Sequence, residues 1–382
     1  MIVTYAEIDG FKNLKGVSFA PDPKYNIIVG ANAQGKTNLL EAMWILSGCK
    51  SFRGSKEKDY ICLDGQRMSS AVKVQDSVRE QKITFEMAKG GNSPKLIQLN
   101  GVKQRGTRAL FDVFKCIAFI PDDTDIIKGS PEKRRSFIDM AASQLNPMFV
   151  MHLNKNNAIM NQRNALLKEI AQRNASADVL EIWDRQASKE GAVISWMRNE
   201  YVSKINEICG RLYNTISGGA EELSLEYRSN VYKPEDFEKP IGEEAEELYY
   251  RRLRETSEYD IRTGSTHSGV NRDEISIKIN GVSARDFGSQ GQIKSGALVM
   301  KLAQAEIYMK KSKDAPVVFL DDVMGELDEN RQRFVFDIIR DMQVFVTTPN
   351  ESALLPEIKG KILRISGGRI TEEEENVSSH RE

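Results

Sequence analysis

Gly30-Ala31-Asn32-Ala33-Gln34-Gly35-Lys36-Thr37 lies between Tyr25–Val29, which ends in the apolar Ile27-Ile28-Val29, and a stretch from Asn38 to Leu46 with Leu39, Leu40, Met43, Trp44 and Leu46 at helical spacing. A buried strand, a glycine-bounded loop, Lys-Thr and a helix form the arrangement that cradles a polyphosphate. Glycines at both ends let the loop turn tightly, so that backbone N–H groups point inward at the anion. Lys36 then supplies a cation to the terminal phosphates and Thr37 a hydroxyl to magnesium, and the helix start adds its dipole. The reading is a nucleoside triphosphate site built from Gly30, Ala31, Asn32, Ala33, Gln34, Gly35, Lys36, Thr37 and Asn38.

Working outward, the chain has 382 residues, 40% hydrophobic and 29% charged, with a net charge of −1. That length predicts more than one domain, and the composition is that of a soluble globular protein. No apolar stretch is long enough to span a bilayer. The N-terminus lacks a basic region followed by an apolar signal core, which predicts a cytoplasmic protein with no membrane partner. Cys49, Cys62, Cys116 and Cys209 are scattered, as in a reducing compartment, and His152, His267 and His380 are too dispersed for a zinc site. The charge balance leaves nucleic-acid binding to a local basic surface.

Upstream of the loop, strands are expected at Ile2–Tyr5 and Val17–Phe19. Downstream, the helix should end near Ser47-Gly48 and lead into the basic loop Lys50-Ser51-Phe52-Arg53-Gly54-Ser55-Lys56. Alternating residues from Ser69 to Leu99, with turns at Gly90-Gly91-Asn92 and Asn100-Gly101, predict an antiparallel sheet. Cys116–Ile120 is a further buried strand. Ser130-Pro131 then opens a long helical stretch reaching about Ser217, with a break near Asn174–Ala177. The charged segment Lys233–Glu258 reads as a solvated helix face or loop. Strand character returns at Ile275–Ile279, and a long helix follows Ser289-Gln290-Gly291-Gln292. Glu373 onward reads as a disordered acidic tail.

Two further features carry chemistry. Val317–Leu320 is an apolar strand ending in Asp321-Asp322; beside a P-loop, Asp321 can hold magnesium and Asp322 can orient or deprotonate the attacking water. A Ser N-cap with glycine in the first turn, Ser289-Gln290-Gly291-Gln292, suits a second anion, such as the nucleotide of another copy.

Taken in order, these segments resemble the RecF-type ABC ATPases of DNA repair. The resemblance is carried by Gly35–Ala42, Lys50-Ser51-Phe52-Arg53, Lys128-Gly129-Ser130-Pro131 with Arg134-Arg135, and Gln162-Arg163-Asn164-Ala165-Leu166-Leu167. It continues through Trp183-Asp184, Asp260-Ile261-Arg262, Ser289–Gln292 and Phe319-Leu320-Asp321-Asp322-Val323-Met324-Gly325-Glu326-Leu327-Asp328. It implies an α/β fold: an ABC-type P-loop ATPase head of mixed sheets and helices, with a mainly helical lobe inserted in it. The expected division is 1–122 and 261–370 for the head, 123–260 for the lobe and 371–382 for the tail. The lobe is too short for a long coiled-coil arm.

The resemblance also implies ATP and Mg2+ as ligands, head-to-head dimerisation on ATP, and slow hydrolysis that releases duplex DNA. It implies action near single-strand gaps with RecR and RecO-type mediators, loading a strand-exchange recombinase in the bacterial cytoplasm at the nucleoid. Lys36 and Asp322 would be catalytic, Thr37 and Asp321 would hold the metal, Ser289 would make the trans phosphate contact, and Asp328 would face the partner copy. Lys50, Arg53, Lys56, Arg105, Arg134 and Arg135 are the candidate DNA contacts. Ala33 stands where the family usually has glycine. The alternative class is an ABC ATPase subunit of a nuclease, defence or other chromosome-maintenance system.

Overall fold

A computed structural model describes residues 1–90, 95–312, 314–350, 354–355 and 358–375. The chain divides into two compact units, Met1–Asp123 with Leu298–Glu382, and Thr124–Ala297. The second crossing therefore falls at 297 rather than at 260 as the sequence reading had it.

In the first unit, β1 (Ile2–Asp9), β2 (Val17–Phe19), β4 (Arg67–Gln75), β5 (Glu80–Ala88), β6 (Lys95–Leu99) and β7 (Val102–Gln104) form an antiparallel sheet of order β2-β1-β4-β5-β6-β7. The Asn100-Gly101 turn joins β6 to β7, with both residues at positive φ (51° and 79°), as a tight hairpin turn requires. Gly91 and Asn92 of the other expected turn lie outside the described residues.

The second sheet combines β3 (Tyr25–Val29), β8 (Cys116–Phe119), β12 (Val317–Asp321), β13 (Val344–Thr348), β14 (Lys361–Ser366) and β15 (Arg369–Glu375) in the order β15-β14-β3-β13-β12-β8. All its pairings are parallel except β14 with β15. Every residue of β3, β12 and β13 is buried. Parallel strands covered on both faces read as continuous apolar runs, which is why the sequence announced them. Parallel pairing also brings the carboxyl ends of β3, β12 and β13 to one edge, where open α/β sheets bind ligands. Helices α1 (Lys36–Trp44) and α10 (Glu329–Ile339) belong to this unit. Residues 371–375, expected in a disordered tail, continue β15, where β14 supplies their hydrogen bonds; the remaining tail residues lie outside the described ones.

The second unit contains α2 (Asp125–Lys128), α3 (Pro131–Leu145), α4 (Pro147–Ala171), α5 (Leu180–Ile216), α6 (Glu243–Glu255), α7 (Ser257–Thr263) and α8 (Ala284–Phe287). It has its own sheet of order β11-β10-β9, from β9 (Leu223–Arg228), β10 (Glu274–Ile279) and β11 (Val282–Ser283). Because β10 pairs with β9, residues 261–297 are held in the lobe and not in the head. Helix α9 (Gln290–Lys311) begins in this unit and ends in the other. The charged segment 233–258 yields α6, which buries Ala245, Tyr249 and Leu253 on one face.

The lobe is tied together by buried ions. Arg163 donates to Asp184 at 2.7 Å and to Asp260 at 2.8 Å, all three fully buried. Arg198 pairs with Asp139 at 2.8 Å and Asp273 at 3.2 Å, and Tyr227 donates its hydroxyl to Asp273. Burial raises the Asp184 and Asp273 carboxyls, outweighing the arginines that oppose it. Several segments that carried the family resemblance, around Arg163, Asp184 and Asp260, are therefore the internal ties of the lobe.

Candidate nucleotide site

The loop between β3 and α1 is fixed by close backbone approach. A Cβ at Gly30 would lie 2.4 Å from the Ile365 carbonyl oxygen, so only glycine fits there. Gly35 has φ of +117°, in the left-handed region. Ala33 also sits there, at φ 63°, which explains why glycine suits this position and marks the alanine as strained.

The loop is held from two sides that the sequence did not announce. Asn13 donates to the Ala33 carbonyl at 3.3 Å and accepts from the Asn38 side chain at 2.7 Å. The β14–β15 turn clasps Gln34: Gly367 N–H donates to its side-chain oxygen at 2.7 Å and Gly368 N–H to its carbonyl at 3.0 Å.

At the sheet edge the chemistry-bearing side chains meet. Lys36 is only 4% exposed; its ammonium donates to the carbonyls of Gly30 (2.8 Å) and Ala31 (3.3 Å) and lies 3.9 Å from Asp322 Oδ2. The Thr37 hydroxyl donates to Asp321 Oδ1 at 2.8 Å, and Thr347 donates to the same oxygen at 2.9 Å. Burial raises the Asp321 carboxyl above its ordinary value; the hydrogen bonds from Thr37 and Thr347 oppose this, Asp322 adds to it, and Arg53 opposes it weakly. Asp322 occupies the left-handed region at φ 53°, its N–H donating to Thr347 Oγ at 2.9 Å. Its Oδ1 is buried and makes no hydrogen bond among the described residues. Thr347 thus holds the Asp321 carboxylate and the Asp322 backbone, a role that only the parallel register of β12 and β13, with Asp321 opposite Thr347, reveals.

The donor set fits magnesium. A hydroxyl and a carboxylate converge beside a loop shaped for phosphates, and Mg2+ is ordinarily held by one or two such oxygens together with phosphate and water. Thr37 and Asp321 would hold it, and the ion would neutralise charge on the phosphate oxygens.

The basic loop 50–56 is lashed to α1. Glu41, fully buried, accepts from Lys12 and from the Ser51 hydroxyl, and Lys12 also donates to Ser55 at 2.9 Å. Trp44 donates to the Lys50 carbonyl at 2.8 Å, and Arg53 to the Asn38 side chain at 3.0 Å. Lys50, Arg53, Lys56 and Arg105 are exposed. Arg134 is not available to DNA: it is 5% exposed, forks onto Glu274 through two 2.7 Å bonds and donates to the carbonyls of Ile127 and Gly129. Arg135 is half-buried and donates to the Asp273 carbonyl at 2.6 Å. Arg134 is thus an internal tie of the lobe, correcting its assignment as a DNA contact, whereas Arg135 keeps part of its surface exposed.

Ser289 and Gln290 are exposed at the start of α9. Ser289 N–H donates to the Gln292 side chain at 2.8 Å and Gln292 N–H returns to Ser289 Oγ at 3.2 Å, a reciprocal capping box; Gln292 also donates to Glu221 at 2.6 Å. Ser289–Gln292 belong to the second unit, whereas the P-loop and both carboxylates belong to the first. Asp328 caps α10, accepting from Arg331 N–H at 2.9 Å.

Comparison with known proteins gives the chain's family. The family model described as RecF/RecN/SMC N terminal domain matches residues 2–361. DNA replication and repair protein RecF of Desulforamulus reducens is 35% identical over 380 residues, covering 98% of this chain and all of that protein. RecF of Lachnoclostridium phytofermentans is 35% identical over 347 residues, 91% of this chain and 92% of that one. Among solved structures, the recombination mediator protein RecF with ATP in the RecFOR pathway superposes with a TM-score of 0.88 at 32% identity, covering 98% and 97% of the two chains. An Smc head bound to the C-terminal winged-helix domain of ScpA, at TM-score 0.56, 16% identity and 98% coverage of both chains, shares the fold alone.

Proposed function

This chain belongs to the RecF/RecN/SMC N-terminal-domain family, within it to RecF, and from that premise we propose that it is an ATP-switched DNA clamp of replication and repair. ATP binds the P-loop, where Lys36 would exchange its loop carbonyls for the terminal phosphates, and Thr37 and Asp321 would hold Mg2+ to offset the phosphate charge. The nucleotide then recruits a second copy, whose Ser289-Gln290-Gly291-Gln292 helix start caps the phosphates in trans and whose Asp328 faces the shared surface. Asp322 acts as base for the attacking water, and slow hydrolysis parts the dimer.

The observation that carries this reading is the convergence of Lys36, Thr37, Asp321 and Asp322 at the ends of β3 and β12. The exposed Ser289 and Gln290, on a capped helix start, support the trans half. The unpartnered Asp322 Oδ1 supports the base. The exposed basic loop beside α1 supports duplex binding, with Lys50, Arg53, Lys56 and Arg105 as phosphate contacts. The site of action is the bacterial cytoplasm at the nucleoid, near single-strand gaps, with RecR and RecO-type mediators in recombinase loading.

Duplex binding followed by fluorescence anisotropy with ATP, ADP or no nucleotide tests this reading. Tight binding with ATP alone, weakening steeply as salt rises, is expected; equal binding in all three states would count against it.

A further inference from the structure

Beside the basic loop, within the first unit, lies a cavity of about 480 Å³ that the nucleotide site does not use. Its inner wall is Ile45, Tyr60 and Phe85, all buried, and its rim includes Lys50, Lys56 and Thr107. The Tyr60 and Phe85 ring centroids lie 6.5 Å apart, edge to face. Glu57 also lines the cavity, and the Lys95 ammonium pairs with it and sits 5.2 Å from the Phe85 centroid. The one carboxylate among the lining residues is therefore neutralised, and cations dominate the rim.

An apolar, aromatic interior with a cationic rim suits a planar base joined to a phosphate. The volume falls within the roughly 300–1,000 Å³ of small-ligand pockets. A base inside a duplex stack cannot enter such a cavity, whereas one at a strand end or gap is already unstacked and enters at little cost. We propose that this cavity receives an unstacked nucleotide of a DNA strand, with its phosphate on Lys50 and Lys56. The proposal rests on the reading of the chain as a DNA-binding ATPase and names the device by which gapped DNA would be distinguished from continuous duplex. The cavity wall is also linked to the P-loop helix: Ser55 lines it and accepts from Lys12, which pairs with Glu41 of α1. Through these contacts occupancy and ATP binding should be coupled, each changing the other's affinity by the same factor.

The test uses the full chain with ATP, a gapped duplex carrying 2-aminopurine at an unpaired position, and a dye-labelled blunt duplex. The wild-type protein is expected to bind the gapped duplex about tenfold tighter than the blunt one and to change the 2-aminopurine emission. Thr107→Phe, which fills the rim, should abolish both the preference and the emission change while leaving ATP and blunt-duplex binding intact. Thr107→Leu, a smaller filling of the same rim, should weaken the preference and the emission change in the same direction and serves if Thr107→Phe does not fold. Retention of the preference and the emission change in both variants would overturn the proposal. Displacement of the gapped strand by adenosine monophosphate at equal concentration would overturn the strand as the source, in favour of a free nucleotide. A wild-type protein whose blunt-duplex binding ignores ATP contradicts the clamp reading instead; the cavity still stands or falls on the Thr107→Phe comparison.

Discussion

At the scale of single residues, two strained positions bracket the chemistry. Ala33 holds φ 63° inside the P-loop, a conformation costing an L-residue roughly 1–2 kcal/mol, part of which glycine would give back as unfolded-chain entropy. Ala33→Gly is therefore expected to stabilise the nucleotide-free protein by about 0.5–1 kcal/mol in denaturant melts. A destabilised variant would mean that the methyl packs usefully. Asp322 holds φ 53° with an oxygen that has no partner among the described residues, strain of the kind found at active sites. Asp322→Asn should keep ATP binding and cut hydrolysis by about 10²–10⁴-fold; turnover at the normal rate would remove it as the base. Asp321 adds a pH effect. Its folded carboxyl is raised, so the charged form costs stability above the raised value, and that cost disappears as pH falls through it towards the unfolded value. Metal binding needs the charged form, so Mg2+-dependent ATP affinity should fall as pH drops through that raised value, in a titration against pH. Asp321→Asn should bind the metal–nucleotide weakly at every pH.

Elements, the next scale up, show which sequence signals were readable. The core of β3 was legible because Ile27-Ile28-Val29 is an apolar run stopped by glycine, as a buried parallel strand requires; Asn26, also buried, is satisfied by Asp22. The allegiance of β10 was not, since its alternating Ile275, Ile277 and Ile279 would serve either an edge of the head sheet or the lobe sheet. Arg134 looked like a basic surface residue because its partner, Glu274, is 140 positions away. Thr347 and Asn13 act only through neighbours that folding supplies. The capping box at Ser289 sharpens one experiment: Ser289→Arg would damage helix and interface together. Ser289→Asp retains a good cap yet places a negative charge against the trans phosphate. It should melt like wild type and fail to dimerise; dimerisation at wild-type strength would exclude the trans contact. In the lobe, Asp260→Ala leaves the Arg163 cation short of a buried partner and should cost about 3–5 kcal/mol. Calorimetry should show the lobe transition lowered while ATP binding by the head persists.

For the whole molecule, the account depends on a nucleotide site that is completed only by a second copy. One chain supplies the P-loop and both carboxylates from one unit and presents Ser289 from the other. On this reading ATP acts as a dimerisation switch, and hydrolysis sets how long the clamp persists. The most direct test is the mass in solution of Asp322→Asn with Mg2+ and ATP, with ADP, or with no nucleotide, measured by multi-angle light scattering. The account predicts twice the 43.1 kDa chain mass with ATP and the single-chain mass in the other two states. The same mass in all three would contradict it.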